Sequence, residues 1–514
     1  MGIKIFFLII FFAVMILIGW MTRRKAASVD GFVLGGRSAG PWLTAFGYGT
    51  SYFSAVVFVG YAGQFGFKYG ISATWAGIGN AVLGSLLAWI VLGRRTRVMT
   101  KHLDSRTMPD FFGKRYNSDS LKVAAALISF VFLIPYTSSV YNGLSRLFRM
   151  AFNIPYSVCV IVMAALTCVY VLLGGYMATV VNDFVQGIIM LFGISAVIVA
   201  VINNNGGFIQ ALTTLSEYES DLAVTQGMKG AFTSFFGPDP LNLLGVVVLT
   251  SLGTWGLPQM VGKFYAIKDE KSIKAGTIIS TVFAIVVAGG SYFLGGFGRL
   301  YSANESIYAA NGSVAYDAII PAMLSSLPDL LIGIVVVLVL SASMSTLSSL
   351  VLTSSSSVTL DLIAHFNRSM DEKRKLLTMR VLLVFFIILS VVIALNPPTF
   401  IAQLMGYSWG ALAGSFLAPF LWGLYWKKTT PLAVWASFIA GVGITLSNMF
   451  LHYIKSPINA GAFTMLAGLV IVPVVSLITP KLEKRMVDDM FAGYDETITI
   501  KKRYSLVEDE EEQN

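Results

Sequence analysis

The sequence predicts an all-α polytopic membrane protein, and its composition and hydropathy pattern are the observations that predict it. Hydrophobic side chains make up 56% of the 514 residues and charged side chains only 12%, with a mean hydropathy of +0.74. This composition lies far outside the range of soluble proteins. Apolar stretches of about 20 residues, long enough to cross a bilayer as helices, recur along the chain. About thirteen such spans occur, centred near Ala13, Val56, Leu83, Val131, Val162, Leu191, Val248, Ala284, Val335, Phe386, Leu412, Phe438 and Leu469.

The basic residues between the spans predict the orientation in the membrane. Arg23, Arg24 and Lys25 directly follow the first span, and no small-residue cleavage site accompanies them, which indicates a retained helix. Further basic clusters, at 94–115, 263–274, 368–375 and 427–428, fall in alternate loops. Because cytoplasmic loops carry an excess of Lys and Arg, we expect the N-terminus outside and the C-terminus inside. The bilayer also accounts for the net charge of +9, so no nucleic-acid partner is expected.

Two of the spans are interrupted at corresponding places. The second reads TAFGYGTSYFSAVVFVGYAG, with glycines and hydroxyls in the middle of its apolar run. The seventh contains Gly253, Gly256 and Pro258, which break what would otherwise be a continuous helix. The two spans are five helices apart. A matching pair of broken helices is typical of a transporter built from two inverted five-helix repeats, with its substrate site near the bilayer midplane.

The ninth span ends in a string of hydroxyl side chains, SASMSTLSSLVLTSSSS, from Ser341 to Ser357. In hydrocarbon an unpaired polar group is costly, so these hydroxyls must face protein, water or an ion. Ala342, Ser345, Thr346 and Ser349 share one helix face, with Ser348 at its margin. Neutral hydroxyls and carbonyls suit Na⁺, but small residues also allow helices to pack closely. The later serines, 354–357, lie about two turns further toward the cytoplasm and indicate packing or the lining of an inner exit path.

Asp183, in GGYMATVVNDFVQG, is the carboxylate most clearly placed inside a predicted span. Ionisable residues within the membrane are rare and are candidates for function. If Asp183 faces the hydroxyl string, it completes a second cation site; if it meets no hydroxyls, it could carry a proton. The structural alternative is an N-cap for the sixth span, because Asp is a favoured capping residue.

Several motifs in order along the chain are similar to those of the sodium/solute symporter family, which includes the sodium/proline, sodium/sugar and sialic-acid symporters. They are DGFVLGGRSAGPWLTAFGYGTS, TMPDFFGKRY, GGYMATVVNDFVQG, the serine string and WKKTTP, and together they reach from about residue 30 to 431. The resemblance implies the leucine-transporter fold, with five-plus-five inverted helices and flanking extra helices.

The resemblance also implies two ion sites. Sodium site 1 falls on the backbone carbonyls of Thr50, Phe53 and Ala342 and on the hydroxyls of Ser345 and Thr346. Some members, notably sialic-acid transporters, bind a second sodium through an aspartate and three serines. Sodium site 2 would therefore use Asp183, Ser345, Ser348 and Ser349.

The chain departs from the family pattern where solute would bind. Tyr52 replaces an aspartate of the sodium/proline symporter, and Thr250 and Thr254 replace residues of its proline pocket, which argues against proline. No arginine occurs in 129–142 to clamp a carboxylate. Residues at the helix breaks and facing spans are the candidates for solute binding, namely Tyr52, Ser54, Trp75, Asn80, Tyr136, Ser139, Thr254, Trp255 and Gln259.

The predicted organisation has six parts. They are an extra N-terminal transmembrane helix (1–25), a first five-helix inverted repeat (40–205), an extracellular loop (206–240), a second five-helix inverted repeat (241–428), two additional transmembrane helices (429–480) and a charged, disordered cytoplasmic tail (481–514).

The leading hypothesis is a sodium-coupled symporter of the plasma membrane that imports a small polar solute, such as an amino acid, sugar or carboxylate, by alternating access. One or two Na⁺ ions would be the coupling ions, with no organic cofactor and no obligate protein partner. The alternatives are a proton-coupled amino-acid permease of the same fold that uses Asp183, or a channel or solute sensor. An enzyme is not expected, because His102, His365 and His452 lie apart and no nucleophile–base set occurs.

Overall fold

The computed structural model describes residues 2–367, 369–396 and 401–499. Within these ranges the regular structure is helical, and the β pairing consists of two isolated bridges, Ala39 with Ile267 and Tyr308 with Val314. The predicted all-α fold class is therefore confirmed.

The helices of the first half of the chain are α1 (Gly2–Thr22), α2 (Val29–Leu34), α3 (Pro41–Tyr52), α4 (Ala62–Tyr69), α5 (Thr74–Ala81), α6 (Arg94–His102), α7 (Met108–Arg115), α8 (Asp119–Phe152), α9 (Tyr156–Asn204) and α10 (Phe208–Glu217). Those of the second half are α11 (Pro240–Leu252), α12 (Pro258–Tyr265), α13 (Glu270–Phe283), α14 (Gly290–Gly295), α15 (Ile319–Leu324), α16 (Asp329–Ser357), α17 (Ala364–Phe366), α18 (Glu372–Leu395), α19 (Ile401–Tyr425), α20 (Pro431–Leu451), α21 (Pro457–Ile478) and α22 (Lys484–Thr499). Wider π turns connect several of them, at Val56–Tyr61, Val82–Leu87, Trp89–Gly93, Ala284–Gly289 and Val358–Ile363.

Many of these helices are long and apolar enough to cross a membrane. In the described part of the chain nine helical segments qualify, or ten when the bent pair Pro240–Trp255 and Pro258–Tyr265 counts as one span. Two of the nine, Val56–His102 and Tyr156–Asn204, contain 47 and 49 residues, which is enough for two crossings each at about 20 residues a crossing. Tyr156–Asn204 turns at Gly175, whose φ is +53°. A Cβ there would lie 2.9 Å from the Phe32 carbonyl oxygen, so the turn needs glycine.

Both predicted helix breaks are present. Helix α3 ends at Tyr52, and Phe53 is extended, with φ −88° and ψ 121°. Helix α11 passes through a short 3₁₀ turn, Gly253–Trp255, to an extended Leu257, and α12 then starts with Pro258 at its first position. The helices before and after this second break differ in direction by 41°.

Helix α16, which carries the hydroxyl string, is the most enclosed of the candidate spans. In its most apolar window 78% of the residues are buried, and it packs against α1, α3, α8, α9 and α18. All of its serines from Ser341 to Ser357 are buried. The hydroxyls therefore face protein rather than lipid, as the cost of an unpaired polar group in hydrocarbon requires.

The tail expected to be disordered from residue 481 contains a helix instead. Helix α22 buries Val487, Met490, Phe491 and Tyr494, and it packs on α6. These residues follow the i, i+3, i+4, i+7 spacing of an amphipathic helix, which the high charge of the tail as a whole conceals. The acidic residues Glu508 to Glu512 lie outside the described residues.

Candidate functional site

The Thr346 hydroxyl of α16 lies against the broken end of α3. Its Oγ1 is 3.1 Å from the carbonyl oxygen of Ser51, 3.2 Å from that of Phe53 and 3.2 Å from that of Ala342. In a continuous helix the Ser51 carbonyl would bond the amide of Ala55, but that amide donates to the Ser343 hydroxyl at 3.3 Å. The Thr346 hydroxyl has one proton and can donate to only one of these three carbonyls at a time. The other two carbonyls direct their lone pairs at the same small space without receiving a hydrogen bond from Thr346.

Ser345 lies beside Thr346 and faces two other helices. Its hydroxyl is 2.9 Å from the Thr50 hydroxyl and 2.6 Å from Oδ1 of Asp183. The Thr50 hydroxyl in turn donates to the Phe46 carbonyl at 2.7 Å. Ser345, Thr50 and Asp183 are fully buried. Ser345 therefore connects α16 to both α3 and α9.

The structure brings together all the residues predicted for the first sodium site. Thr50, Phe53, Ala342, Ser345 and Thr346 meet where α3 ends against α16, although Thr50 makes its contact through its hydroxyl and the resemblance implies its carbonyl. The Ser51 carbonyl also belongs to this cluster. Sequence reasoning missed it, although its place between Thr50 and Phe53 in the interrupted second span is a usable signal.

Asp183 lies inside α9, which continues helically from the turn at Gly175 through to Asn204. The alternative that it caps a helix is therefore wrong. Its Oδ1 accepts from Ser345, and its Oδ2 accepts from Nζ of Lys263 at 3.2 Å. The side chains of Lys263 and Asp183 are only 3% and 0% exposed. Lys263, expected in a cytoplasmic loop, instead lies in α12 as half of a buried ion pair.

The residues predicted for the second sodium site are neighbours, but their recorded hydrogen bonds do not converge. The Ser348 hydroxyl donates to the Ser345 carbonyl at 2.9 Å, and the Ser349 hydroxyl is 3.1 Å from that of Ser51. Among the described residues, Ser345 is the one predicted serine that hydrogen-bonds to Asp183. The unpredicted Lys263 takes the other carboxylate oxygen. Its partner lies eighty positions earlier in the chain, so no local pattern reveals the pair.

Most of the residues predicted to contact solute are bonded to nearby protein groups. Such closed contacts indicate packing: Ser54 accepts from the Val56 amide (3.1 Å), Trp75 donates to the Phe235 carbonyl (2.9 Å), Asn80 contacts Ser251 (3.3 Å), Ser139 donates to the Pro135 carbonyl (2.8 Å), Thr254 to the Ser251 carbonyl (2.9 Å) and Trp255 to the Leu83 carbonyl (2.9 Å). The side chain of Tyr52 lies outside the described residues.

Tyr136 and Gln259 differ from these candidates. The Tyr136 hydroxyl and both polar atoms of the Gln259 amide are buried with no hydrogen-bond partner in the described part of the protein. Tyr136 packs edge-on against Trp409 of α19, at 5.8 Å between ring centroids, and Nε1 of Trp409 is unpartnered in the same way. Buried polar groups of this kind are costly unless something binds them. Trp409 was not predicted, because α19 contains no break and no charge.

A cavity reaches Lys263 of the ion pair. Lys263, Gln259 and Ser349 line one part of it, and the loop residues Arg106 and Thr107 line another. Ser356 and Ser357 of the hydroxyl string also line it. These later serines therefore lie on the wall of the same cavity as Lys263.

Comparison with known proteins extends these observations. The model of the sodium:solute symporter family matches residues 32–441. The chain is 29% identical over 480 residues to the osmoregulated proline transporter OpuE of Bacillus subtilis, covering 93% of this chain and 94% of the relative. It is 30% identical over 437 residues to the sodium/proline symporter of Salmonella typhimurium, covering 83% and 84%. Both relatives are named as transporters rather than enzymes.

Solved structures share the fold at low sequence identity. A Na⁺-coupled sialic acid symporter in a substrate-bound, outward-open state has a TM-score of 0.73 at 15% identity, covering 94% of this chain and 99% of the other. MhsT in complex with L-phenylalanine has a TM-score of 0.53 at 13% identity, covering 86% and 98%. The fold is therefore that of the leucine transporter, as the sequence motifs indicate.

Proposed function

Because the chain belongs to the sodium:solute symporter family, we propose that it imports one small polar organic solute together with Na⁺ by alternating access. It is a multi-pass integral protein of the plasma membrane. The observation that carries the proposal is the contact of the Thr346 hydroxyl with three backbone carbonyls at the broken end of α3. Neutral oxygens from two separate helices can bind Na⁺ and still release it.

In this proposal Na⁺ is a transported ion that binds between α3 and α16. Carbonyls of Phe53 and Ala342 and hydroxyls of Ser345 and Thr346 would be its ligands, with Thr50 and Ser51 at the edge of the site. An ion held by both helices stabilises the arrangement in which their oxygens converge. It thereby favours the conformation that binds solute, which couples the two binding events. Rocking of one helix bundle against the other then moves both cargoes across the membrane.

Three observations bear on the solute. The matched relatives named above are a proline transporter and a sodium/proline symporter, which makes proline the first solute to test. Tyr52 stands where the sodium/proline symporter has an aspartate, and this difference lies next to the site. The Tyr136 and Trp409 rings offer apolar surface with polar atoms that find no partner among the described residues, and this combination suits a small solute with an apolar ring or chain and a polar head.

For the architecture we propose thirteen transmembrane helices with the N-terminus outside and the C-terminus inside. The repeats span 40–205 and 241–428, preceded by the helix of 1–25 and followed by the two helices of 429–480, with the segment 206–240 outside. The support is the pair of helix breaks at Phe53 and Leu257 and the distribution of basic residues between the spans.

Transport by the purified protein in proteoliposomes tests the function. We expect an inward Na⁺ gradient to drive saturable accumulation of labelled proline or of another solute found in a thermal-shift screen with and without Na⁺. Accumulation that is equally strong in sodium-free buffer with a proton gradient would instead identify the proton-coupled permease. Ion conductance without solute would identify a channel, and binding without transport would identify a sensor.

A further inference from the structure

The ion pair of Asp183 and Lys263 lies next to the proposed sodium site, and nothing in the sodium mechanism above uses it. The two charged atoms are 3.2 Å apart, and both side chains are almost fully buried. Lys263 belongs to α12, after the second helix break, whereas Asp183 belongs to α9. A buried carboxylate requires a cation or hydrogen bonds to remain charged. Here the cation is supplied by the protein itself.

Protein groups from several helices surround the ion pair closely. Gly47 of α3 faces it, because a Cβ at that position would lie 3.5 Å from Oδ2 of Asp183 and 3.8 Å from Nζ of Lys263. The ring of Tyr176 lies 5.4 Å from Nζ on another side. The remaining carboxylate oxygen accepts from Ser345 at 2.6 Å. Both oxygens of Asp183 are therefore engaged by protein groups.

A second sodium ion does not fit this arrangement. It would have to share one carboxylate with the Lys263 ammonium, and two positive charges at that separation repel each other strongly in a buried site. Two of the serines that the second site would require are bonded elsewhere, Ser348 to the Ser345 carbonyl and Ser349 to Ser51. The carboxylate that would attract a second sodium is thus already neutralised.

We propose that Lys263 is a tethered cation that replaces a second sodium ion at Asp183, so that one sodium ion accompanies each solute molecule. The proposal rests on the proposed sodium symport, because it concerns the number of ions carried. The tethered charge remains with the protein while the sodium ion leaves. Lys263, but not Asp183, lines the cavity described above, so a sodium ion that entered through it would meet the ammonium before it met Asp183.

The pair would also orient a ligand of the single sodium ion. The Ser345 hydroxyl can donate to Asp183 at 2.6 Å or to the Thr50 hydroxyl at 2.9 Å. The charged carboxylate is the nearer and stronger acceptor, so the single proton points to Asp183 and the oxygen lone pairs are left on the side of Thr50. Asp183 and Lys263 are therefore positioning residues for Ser345. This gives the ion pair a function in sodium binding without direct contact between Asp183 and the ion.

The number of ions per solute can be measured directly. In proteoliposomes that hold the native protein, the membrane potential that just stops net solute flux against a fixed solute gradient gives the coupling ratio. We expect one sodium ion per solute and a Hill coefficient near one. A ratio of two in the native protein would overturn the inference and leave sodium symport intact. Uptake that does not depend on sodium would overturn the proposed function itself.

Variants of the pair test whether Lys263 sets this ratio. Lys263→Met leaves the carboxylate without its cation, and we expect a second sodium ion to take that place, with the ratio rising towards two and the Hill coefficient above one. Lys263→Arg retains the charge and should keep the ratio at one. The double variant Asp183→Asn, Lys263→Met lacks the carboxylate and should also stay at one. A ratio of one in Lys263→Met would contradict the proposal. If that variant does not fold, the native ratio still decides.

Discussion

The hydroxyl of Thr346 lies 3.2 Å from the carbonyl oxygen of Phe53, and this contact joins the centre of α16 to the point where α3 ends. Because Phe53 is extended, its carbonyl points away from the α3 axis and towards the neighbouring helix. The same hydroxyl contacts the carbonyls of Ser51 and Ala342. A helix break and a threonine on the facing helix thus make an oxygen cluster that neither helix could make alone.

Replacing Thr346 with Val should weaken sodium binding. Val keeps the branched shape but loses the hydroxyl, so we expect the sodium concentration for half-maximal uptake to rise at least about tenfold, equivalent to about 1.4 kcal/mol. The matched control is Ser341→Ala on the same helix, because the Ser341 hydroxyl is buried without a partner in the described part of the chain. Identical sodium dependence in Thr346→Val, Ser341→Ala and the native protein would refute the proposed site.

The two charges of the Asp183 and Lys263 pair should stabilise the protein only together. Asp183→Asn or Lys263→Met alone leaves one buried charge uncompensated, which costs about 3–5 kcal/mol. The double variant removes both charges and should recover much of that loss. Thermal unfolding of the four proteins in detergent without sodium measures the cycle, since a sodium ion bound beside Asp183 in Lys263→Met would itself raise stability. Additive losses in the double variant would show that the two charges do not interact.

The sequence predicts the helix breaks and the hydroxyl face of α16 because their signals are local, whereas the meeting of that face with Thr50 and Phe53 is implied only by the family resemblance. Gly253, Gly256 and Pro258 interrupt a helix wherever they occur in it, and the spacing of Ser345 and Thr346 puts them on one helix face. The ion pair has no such signal. Lys263 follows an apolar stretch and resembles any loop lysine that marks the cytoplasmic side, and only the folded chain shows that α12 carries it back towards Asp183.

The tail illustrates a different limit of the sequence. Its charged residues predict disorder when the segment is averaged. Val487, Phe491 and Tyr494 nevertheless form a narrow apolar stripe that is enough to hold α22 on α6.

The solute candidates show a related limit, because a local pattern does not tell which contacts a side chain makes. Ser139 and Thr254 bond to carbonyls of their own helical segments, as hydroxyls in membrane helices commonly do, and a position near a helix break does not distinguish this use from solute binding.

The crossing of α4 and α14 should tolerate no side chain at Gly66. A Cβ there would lie 2.0 Å from the carbonyl group of Gly295, which is backbone and cannot turn aside. We expect Gly66→Ala to lower the free energy of unfolding by about 1–3 kcal/mol or more. The melting temperature and the yield of folded protein should fall with it. Gly262→Ala is the control, because a Cβ at that position meets nothing within 4 Å. Equal stability of the two variants would mean that α4 and α14 separate without loss.

Helix α22 should stabilise the end of the molecule that it covers. The Phe491 ring is buried and packs near the guanidinium of Arg115, 5.2 Å from the ring centroid, and the Tyr494 hydroxyl donates to the Arg95 carbonyl at 3.0 Å. Phe491→Ala removes a buried aromatic ring, which costs about 3–5 kcal/mol, so the melting temperature should fall while the sodium concentration for half-maximal uptake stays unchanged. Asp488→Asn is the control: it lies on the same helix, but its ion pair with Lys427 is half exposed and screened by water. A Phe491→Ala protein as stable as Asp488→Asn would show that α22 rests on the surface without stabilising it.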